Sequence, residues 1–165
     1  MFKTAIIGLG KIASQYFGDK NMIQNIKYAT HLQVLQENGH YDLVCAVDKS
    51  KKACDYAKSN WKIKEIVSKV EDIENKKEIE ILVLATPPDF RLEVIDFFPS
   101  LIGIIVEKPL GKTYKASKQF LDQCVNKNIK VQVNLTRRSD KIMKDFSNDL
   151  LSDKIGRIQC GFGTY

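Results

Sequence analysis

Gly8, Gly10 and Ala13 stand in the spacing G-x-G-x-x-A, behind an apolar run from Phe2 to Gly8 and ahead of a segment, Lys11 to Phe17, of helical composition. Those types at that spacing suit one piece of chemistry. A first glycine permits a tight turn, a second lets backbone approach a pyrophosphate, and a small third residue keeps the helix close to its sheet. The N–H groups at the start of the helix then point at the anion. Gly8, Leu9, Gly10, Lys11, Ile12 and Ala13 are therefore candidate dinucleotide-binding positions. Simple turn glycines would leave the same letters, and the strand before and helix after are what favour the ligand.

Asp48 closes a second apolar run, Tyr41 to Asp48. An acid at that strand end can accept both ribose hydroxyls of an adenosine, and its charge repels a 2′-phosphate. It lies 38 residues past Gly10, where about 20 is usual, and the polar insertion from Gly18 to Lys27 takes up much of the excess. With Ser50 nearby, Asp48 also reads as a helix N-cap. Lys49, Lys51 and Lys52 leave NADP open beside NAD.

Two more strand ends carry candidates. "ATPP", Ala85 to Pro88, and "EKPL", Glu107 to Leu110, each follow a continuous apolar run. Ligands of open α/β sheets bind beyond the carboxyl ends of the strands, so Thr86, Pro87, Pro88, Glu107, Lys108 and Pro109 join the cofactor candidates. An ammonium at Lys108 can orient a substrate oxygen or, when desolvated, exchange a proton. A Glu107–Lys108 surface pair before a proline turn is the plainer alternative, and the sequence leaves open whether Pro109 is cis.

The elements that must position these residues alternate. Strands are expected at Phe2 to Gly8, "YDLVCAVD", "KIKEIVS" as an outer strand, "EIEILVLATPP", "LIGIIVEKPL" and "KVQVNLTRR". Helical spacing joins Tyr28, Leu32 and Leu35, then Ser50 to Asn60, then Val94, Phe97 and Phe98 behind Pro88, then Ala116, Phe120 and Cys124. That alternation predicts an α/β fold: a doubly wound parallel sheet of Rossmann type in three α/β/α layers. After Arg138, Ile142, Phe146 and Leu150 mark a further helix, and "GRIQCGFGTY" is expected to begin a strand. The expected domains are 1–138, binding the dinucleotide, and 139–165, the start of an incomplete α+β second domain.

Composition narrows the function. The 165 residues, 44% hydrophobic and 28% charged, suit one ordinary domain plus a fragment. No apolar run approaches the roughly 20 residues of a membrane helix, and Met1, Phe2, Lys3 lead straight into a strand rather than a signal peptide, so a cytoplasmic location is expected. Cys45, Cys54, Cys124 and Cys160 are scattered and read as reduced, and two histidines, His31 and His40, are too few for a zinc site; no metal is expected. The net charge of +6 sits wholly after Pro99, with 12 basic and 6 acidic residues there against 14 and 14 before. Without aromatic interleaving or a nucleic-acid motif, that excess reads as a solvated lysine surface or an anion pocket.

In this order "IIGLGKIAS", Asp48, "ATPP", "EKPL" and "NLTRR" resemble the amino-terminal domain of the Gfo/Idh/MocA oxidoreductases, the family of glucose-fructose oxidoreductase and inositol dehydrogenase. The resemblance covers nearly the whole chain, with "EKP" its most specific mark. It implies a Rossmann domain for NAD or NADP and hydride transfer to or from a sugar, cyclitol or related alcohol, phosphorylated or nucleotide-linked substrates included. It also implies Lys108 as the substrate-contacting catalytic lysine, with Gly8, Gly10, Asp48, Thr86, Pro87, Glu107 and Asn134 along the cofactor. Two departures bear on cofactor affinity: Arg91 stands where the family often has histidine, and "PSLIG" is an irregular link. The family's catalytic Asp and His come from a second domain, and no residue here replaces them. The parent protein is thus expected to be an NAD(P)-dependent oxidoreductase, homo-oligomerisation left open, with this chain alone inactive. The other reading is a non-catalytic NAD(P)-binding sensor or regulatory module.

Overall fold

The apolar runs form β1 (Phe2–Ile7), β2 (Tyr41–Val47), β3 (Glu65–Val67), β4 (Ile81–Leu84), β5 (Gly103–Val106) and β6 (Lys130–Val133) in a computed structural model that describes residues 1–20 and 27–162. All neighbours pair in parallel, in the order β3-β2-β1-β4-β5-β6. This is the doubly wound order, in which the chain reverses direction across the sheet between β1 and β4. Strands buried on both faces need apolar side chains, which is why the second half of β1, from Ala5, and the whole of β4 read as continuous apolar runs.

Successive side chains of a strand point to opposite faces, and the two halves of the core follow that alternation. On one face Ala5, Ile7, Leu82, Leu84 and Val106 pack with Ile95, Phe98, Phe120 and Cys124. On the other, Ile6, Ala46 and Val83 pack with Leu32, Leu35, Ala53, Cys54 and Ala57. The second face is covered by α1 (His31–Glu37) and α2 (Lys51–Asn60), the first by α3 (Arg91–Val94) and α4 (Tyr114–Asn126). Three layers result.

Local chemistry sets where the helices begin. Thr30 and Gln33 form a capping box at α1, Ser50 accepts from Ala53 N at α2, and Thr113 accepts from Ala116 N at α4. The one helix expected behind Pro88 is three short pieces, 3₁₀ turns at Pro88–Phe90 and Ile95–Phe97 flanking α3. Most of the polar insertion after Gly18 lies outside the described residues.

The chain divides into two compact units, Met1–Val133 and Asn134–Tyr165. In the second, Asp140 caps α5 (Lys141–Leu151), which carries the expected Ile142, Phe146 and Leu150. The strand expected from "GRIQCGFGTY" does not form among its described residues: Gly156 to Phe162 are in no strand. A strand needs a neighbour for its N–H and C=O groups, and no strand of that unit is present among the described residues. The last three residues lie outside them.

Candidate cofactor site

Between β1 and its helix the two glycines behave differently. Gly8 has φ +94°, and a Cβ there would stand 2.7 Å from the Ala85 carbonyl oxygen at the end of β4. Both the conformation and the close approach demand glycine. Gly10 has φ −69° and ψ −168°, open to any residue, and a Cβ there would meet nothing within 4 Å among the described residues. Among the described residues, nothing in the fold demands a glycine at 10. The space in front of it is what a pyrophosphate against the backbone requires.

The helix after the turn is short, a π-turn over Lys11–Gln15 followed by a 3₁₀ turn over Tyr16–Gly18. Buried Ser14 donates its hydroxyl to the Leu9 carbonyl at 2.7 Å, and Gln15 Nε2 donates to the same oxygen at 3.3 Å. These bonds fold the loop back on itself at the sheet's carboxyl edge, where Ala13 N and Ser14 N donate to the Gly10 carbonyl at 3.1 and 3.0 Å. Leu9 and Ala13 are fully buried in the core. Lys11 is exposed and Ile12 half-buried.

Asp48 sits at the end of β2 and ties the neighbouring loop to its own. Its Oδ2 accepts from Leu9 N at 2.7 Å and its Oδ1 accepts from Ser50 N at 2.8 Å. The N-cap alternative for Asp48 is taken by Ser50, which caps α2 itself. A carboxylate has about four acceptor positions, so two bonds leave room for ribose hydroxyls.

At β4 and β5 the loops are joined by a buried guanidinium. Arg91, only 2% exposed, donates from Nη1 to the carbonyls of Pro109 (2.6 Å) and Leu110 (3.1 Å), and from Nη2 to that of Thr86 (2.6 Å). Burial pushes its pKa below the ordinary arginine value and the field of Glu107 opposes that shift; an arginine stays charged regardless. Glu107 in turn meets His31, the first residue of α1, Oε1 to Nε2 at 2.8 Å, each side chain 13% exposed. The expected surface partner of Lys108 is thus engaged elsewhere. Lys108 and Pro109 are exposed at the edge, and the bond between them is cis.

A cavity of about 440 Å³ opens between these loops, lined by Gly8, Gly10, Asp48, Lys49, Thr86 and Pro87 on its polar side and by Val70, Val94 and Phe97 on its apolar side. Pro88, Glu107, Lys108 and Pro109 do not line it. Pro88 opens the 3₁₀ turn, and the other three stand at the β5 end. Asn134 belongs to the second unit, half-buried and with a polar partner. Sequence reading missed Ser68, Lys69 and Glu71, which also line the cavity. The rule that ligands meet strand ends applies equally to β3 and points to them. Ser14 and the inward turn of Arg91 were missed too. Arg91, Val94, Ile95 and Phe98 fall at i, i+3, i+4 and i+7, so a charge on an apolar face was visible.

Residues 2–135 match the family model GFO_IDH_MocA, described as an oxidoreductase family with an NAD-binding Rossmann fold. The chain belongs to the Gfo/Idh/MocA oxidoreductase family. Among solved structures, scyllo-inositol dehydrogenase from Lactobacillus casei, with NAD(H) and scyllo-inositol bound, superposes with a TM-score of 0.70 at 22% identity, over 96% of this chain and 43% of that one. The WlbA dehydrogenase of Bordetella pertussis, in complex with NADH and UDP-GlcNAcA, gives 0.71 at 18% identity over 95% and 44%. Myo-inositol 2-dehydrogenase from Lactobacillus plantarum gives 0.70 at 20% over 95% and 43%. The chain thus spans less than half the length of these relatives. No curated protein sequence matches it. Among the described residues, no helix is long and apolar enough to cross a membrane.

Proposed function

We propose that this chain supplies the NAD-holding half of a dehydrogenase acting on a polyol, sugar or nucleotide-linked sugar. The observation that carries the reading is the convergence of four adjacent strand ends in one sheet: Asp48 on β2, the Gly8–Gly10 turn on β1, Thr86 and Pro87 on β4, and Glu107 with Lys108 on β5. The reading of the substrate class rests on the inositol and nucleotide-sugar dehydrogenases that share the fold.

The residues present fit a dinucleotide. The open space before Gly10 admits a pyrophosphate, Asp48 receives the adenosine ribose, and the apolar wall of Val70, Val94 and Phe97 accepts a flat ring. The residues that would meet the nicotinamide end are those at the ends of β4 and β5, on the far side of β1 from Asp48. When bound, the nicotinamide ring supplies hydride chemistry. Lys108 is the group of this chain that meets the substrate there, its ammonium orienting the oxygen whose carbon is oxidised. Asp48 and the two loops bind and orient. The charge on Asp48 favours NAD over NADP.

Titration of the chain with NADH, followed by quenching of Trp61 emission and by nucleotide fluorescence, tests this reading. Saturable binding, displaced by NAD+ and stronger than that of NADPH, is the expected result. Absence of saturable binding overturns it.

A further inference from the structure

The loops that end β4 and β5 are poor in backbone donors, because Pro87, Pro88 and Pro109 carry no N–H. Their inward carbonyls, those of Thr86, Pro109 and Leu110, cannot be satisfied by one another. Arg91 reaches all three from below with a planar fork of five donors, while 2% exposed. A lysine offers one compact point of three donors and a histidine at most two, so neither spans three carbonyls on two loops. The exposed pair of Lys112 with Asp89, at 2.8 Å, ties the same two segments on the outside.

Two of the three acceptors directly follow Lys108, and the third directly precedes Pro87. Both loops lie on the side of β1 away from β2 and Asp48. We propose that Arg91 is a positioning residue that locks the Thr86 and Lys108 loops into one body, and so shapes the nicotinamide half of the site more than the adenosine half, although Thr86 and Pro87 line the cavity that Asp48 shares. The proposal rests on the cofactor reading above. The Arg91 side chain reaches neither cofactor nor substrate itself; it acts through the carbonyls beside Lys108 and Pro87.

The test uses the full chain with Arg91→Met and Arg91→Lys, and two readouts. Hydrogen exchange followed by mass spectrometry reads residues 85–88 and 107–112 against the β1–β2 ladder without any ligand. Dissociation constants are then measured for NADH and for ADP-ribose, which lacks the nicotinamide. Arg91→Met is expected to speed exchange in the two loops alone and to weaken NADH about tenfold, with ADP-ribose held within about twofold. Arg91→Lys falls between it and the wild type. A variant that weakens NADH and ADP-ribose together, or changes neither, overturns the proposal, because a merely structural role moves both. If Arg91→Met does not fold, Arg91→Lys carries the same comparison, and an unchanged NADH to ADP-ribose ratio overturns the proposal equally. A wild type that binds neither nucleotide overturns the cofactor reading and with it the nicotinamide assignment. The exchange data then judge the lock by itself: loosening confined to the two loops upholds it, and uniform or unchanged exchange removes it.

Discussion

Alanine at Gly8 and alanine at Gly10 should do opposite things, though both break the same motif. At Gly8 the new side chain must adopt φ +94°, which costs roughly 1–2 kcal/mol for an L-residue. Its Cβ also stands 2.7 Å from the Ala85 oxygen and 2.9 Å from its carbon, and relieving that overlap costs about 1–3 kcal/mol more. A loss of about 2–5 kcal/mol is a large part of the roughly 5–15 kcal/mol that holds a domain folded. At Gly10 the backbone is already at φ −69°, with nothing among the described residues within 4 Å of the added methyl. Gly10→Ala should therefore raise stability by about 0.4–1 kcal/mol through the unfolded chain. The same methyl fills the space assigned to the pyrophosphate, and about 1–3 kcal/mol of overlap weakens NADH about 5- to 150-fold. Urea unfolding and NADH titration of both variants separate the two effects. A Gly10→Ala chain that binds NADH like the wild type refutes the placement of the cofactor. A Gly8→Ala chain as stable as the wild type refutes the steric account of the turn.

Replacing Asp48 with Asn keeps an acceptor toward Leu9 N or Ser50 N while removing the charge, so the preference for NADH over NADPH should fall about tenfold; an unchanged preference in paired titrations removes Asp48 from the ribose. Cys45, Cys54 and Cys124 are buried and Cys160 is exposed, so a disulfide reagent at pH 8 should modify one thiol in the native chain and four in urea. Burial pushes the Cys45 thiol up to about 12 and Cys124 up to about 11 from an ordinary 9.0. Above pH 9 the unfolded chain gives up protons that the folded chain keeps, so this stabilisation is complete below pH 9 and fades as pH rises toward 11–12. At pH 10 it has fallen by about 1.4 kcal/mol per thiol. Urea midpoints at pH 8 and pH 10 check this, and a Cys45→Ala, Cys124→Ala chain that loses as much as the wild type contradicts it. Phe120, 2% exposed under the sheet, should cost about 3–5 kcal/mol when cut to alanine, read as a lower urea midpoint with NADH affinity retained.

The sheet was legible because its signal is local. A strand buried on both faces carries apolar side chains in succession, so Ala5 to Ile7 of β1 and the four residues of β4 announce themselves. The rule that ligands meet the carboxyl ends then names Asp48, Thr86 and Lys108 without knowledge of a single contact. The shape of the first helix was not legible. Lys11 to Phe17 has helical composition, yet Ser14 and Gln15 both bond back to the Leu9 carbonyl, and a side chain returning to backbone competes with the regular ladder. The strand expected after Gly156 failed for the converse reason: β-forming letters specify a strand only where a neighbour supplies the other half of each hydrogen bond.

What sequence could not show is how the strand ends are held to one another. Leu9 N meets Asp48 across 39 positions, Arg91 meets Pro109 across 18, and His31 meets Glu107 across 76. Periodicity carries no information over such distances, because it reports only which face an element buries. With the further bond of Arg91 to Thr86, these link the strand ends: β1 to β2 through Asp48, β4 to β5 through Arg91, and β5 to α1 through Glu107. Each uses a charged or titratable side chain on a backbone or ring partner that the motif letters leave unstated. Gly10 and Lys108 can be read as ligand-facing from their types alone, whereas Arg91 reads as an anomaly until its three carbonyl acceptors are known. The anomaly is the informative residue: a charge placed on an apolar face must find partners there or be expelled, and the partners it finds are three carbonyls on the loops that end β4 and β5.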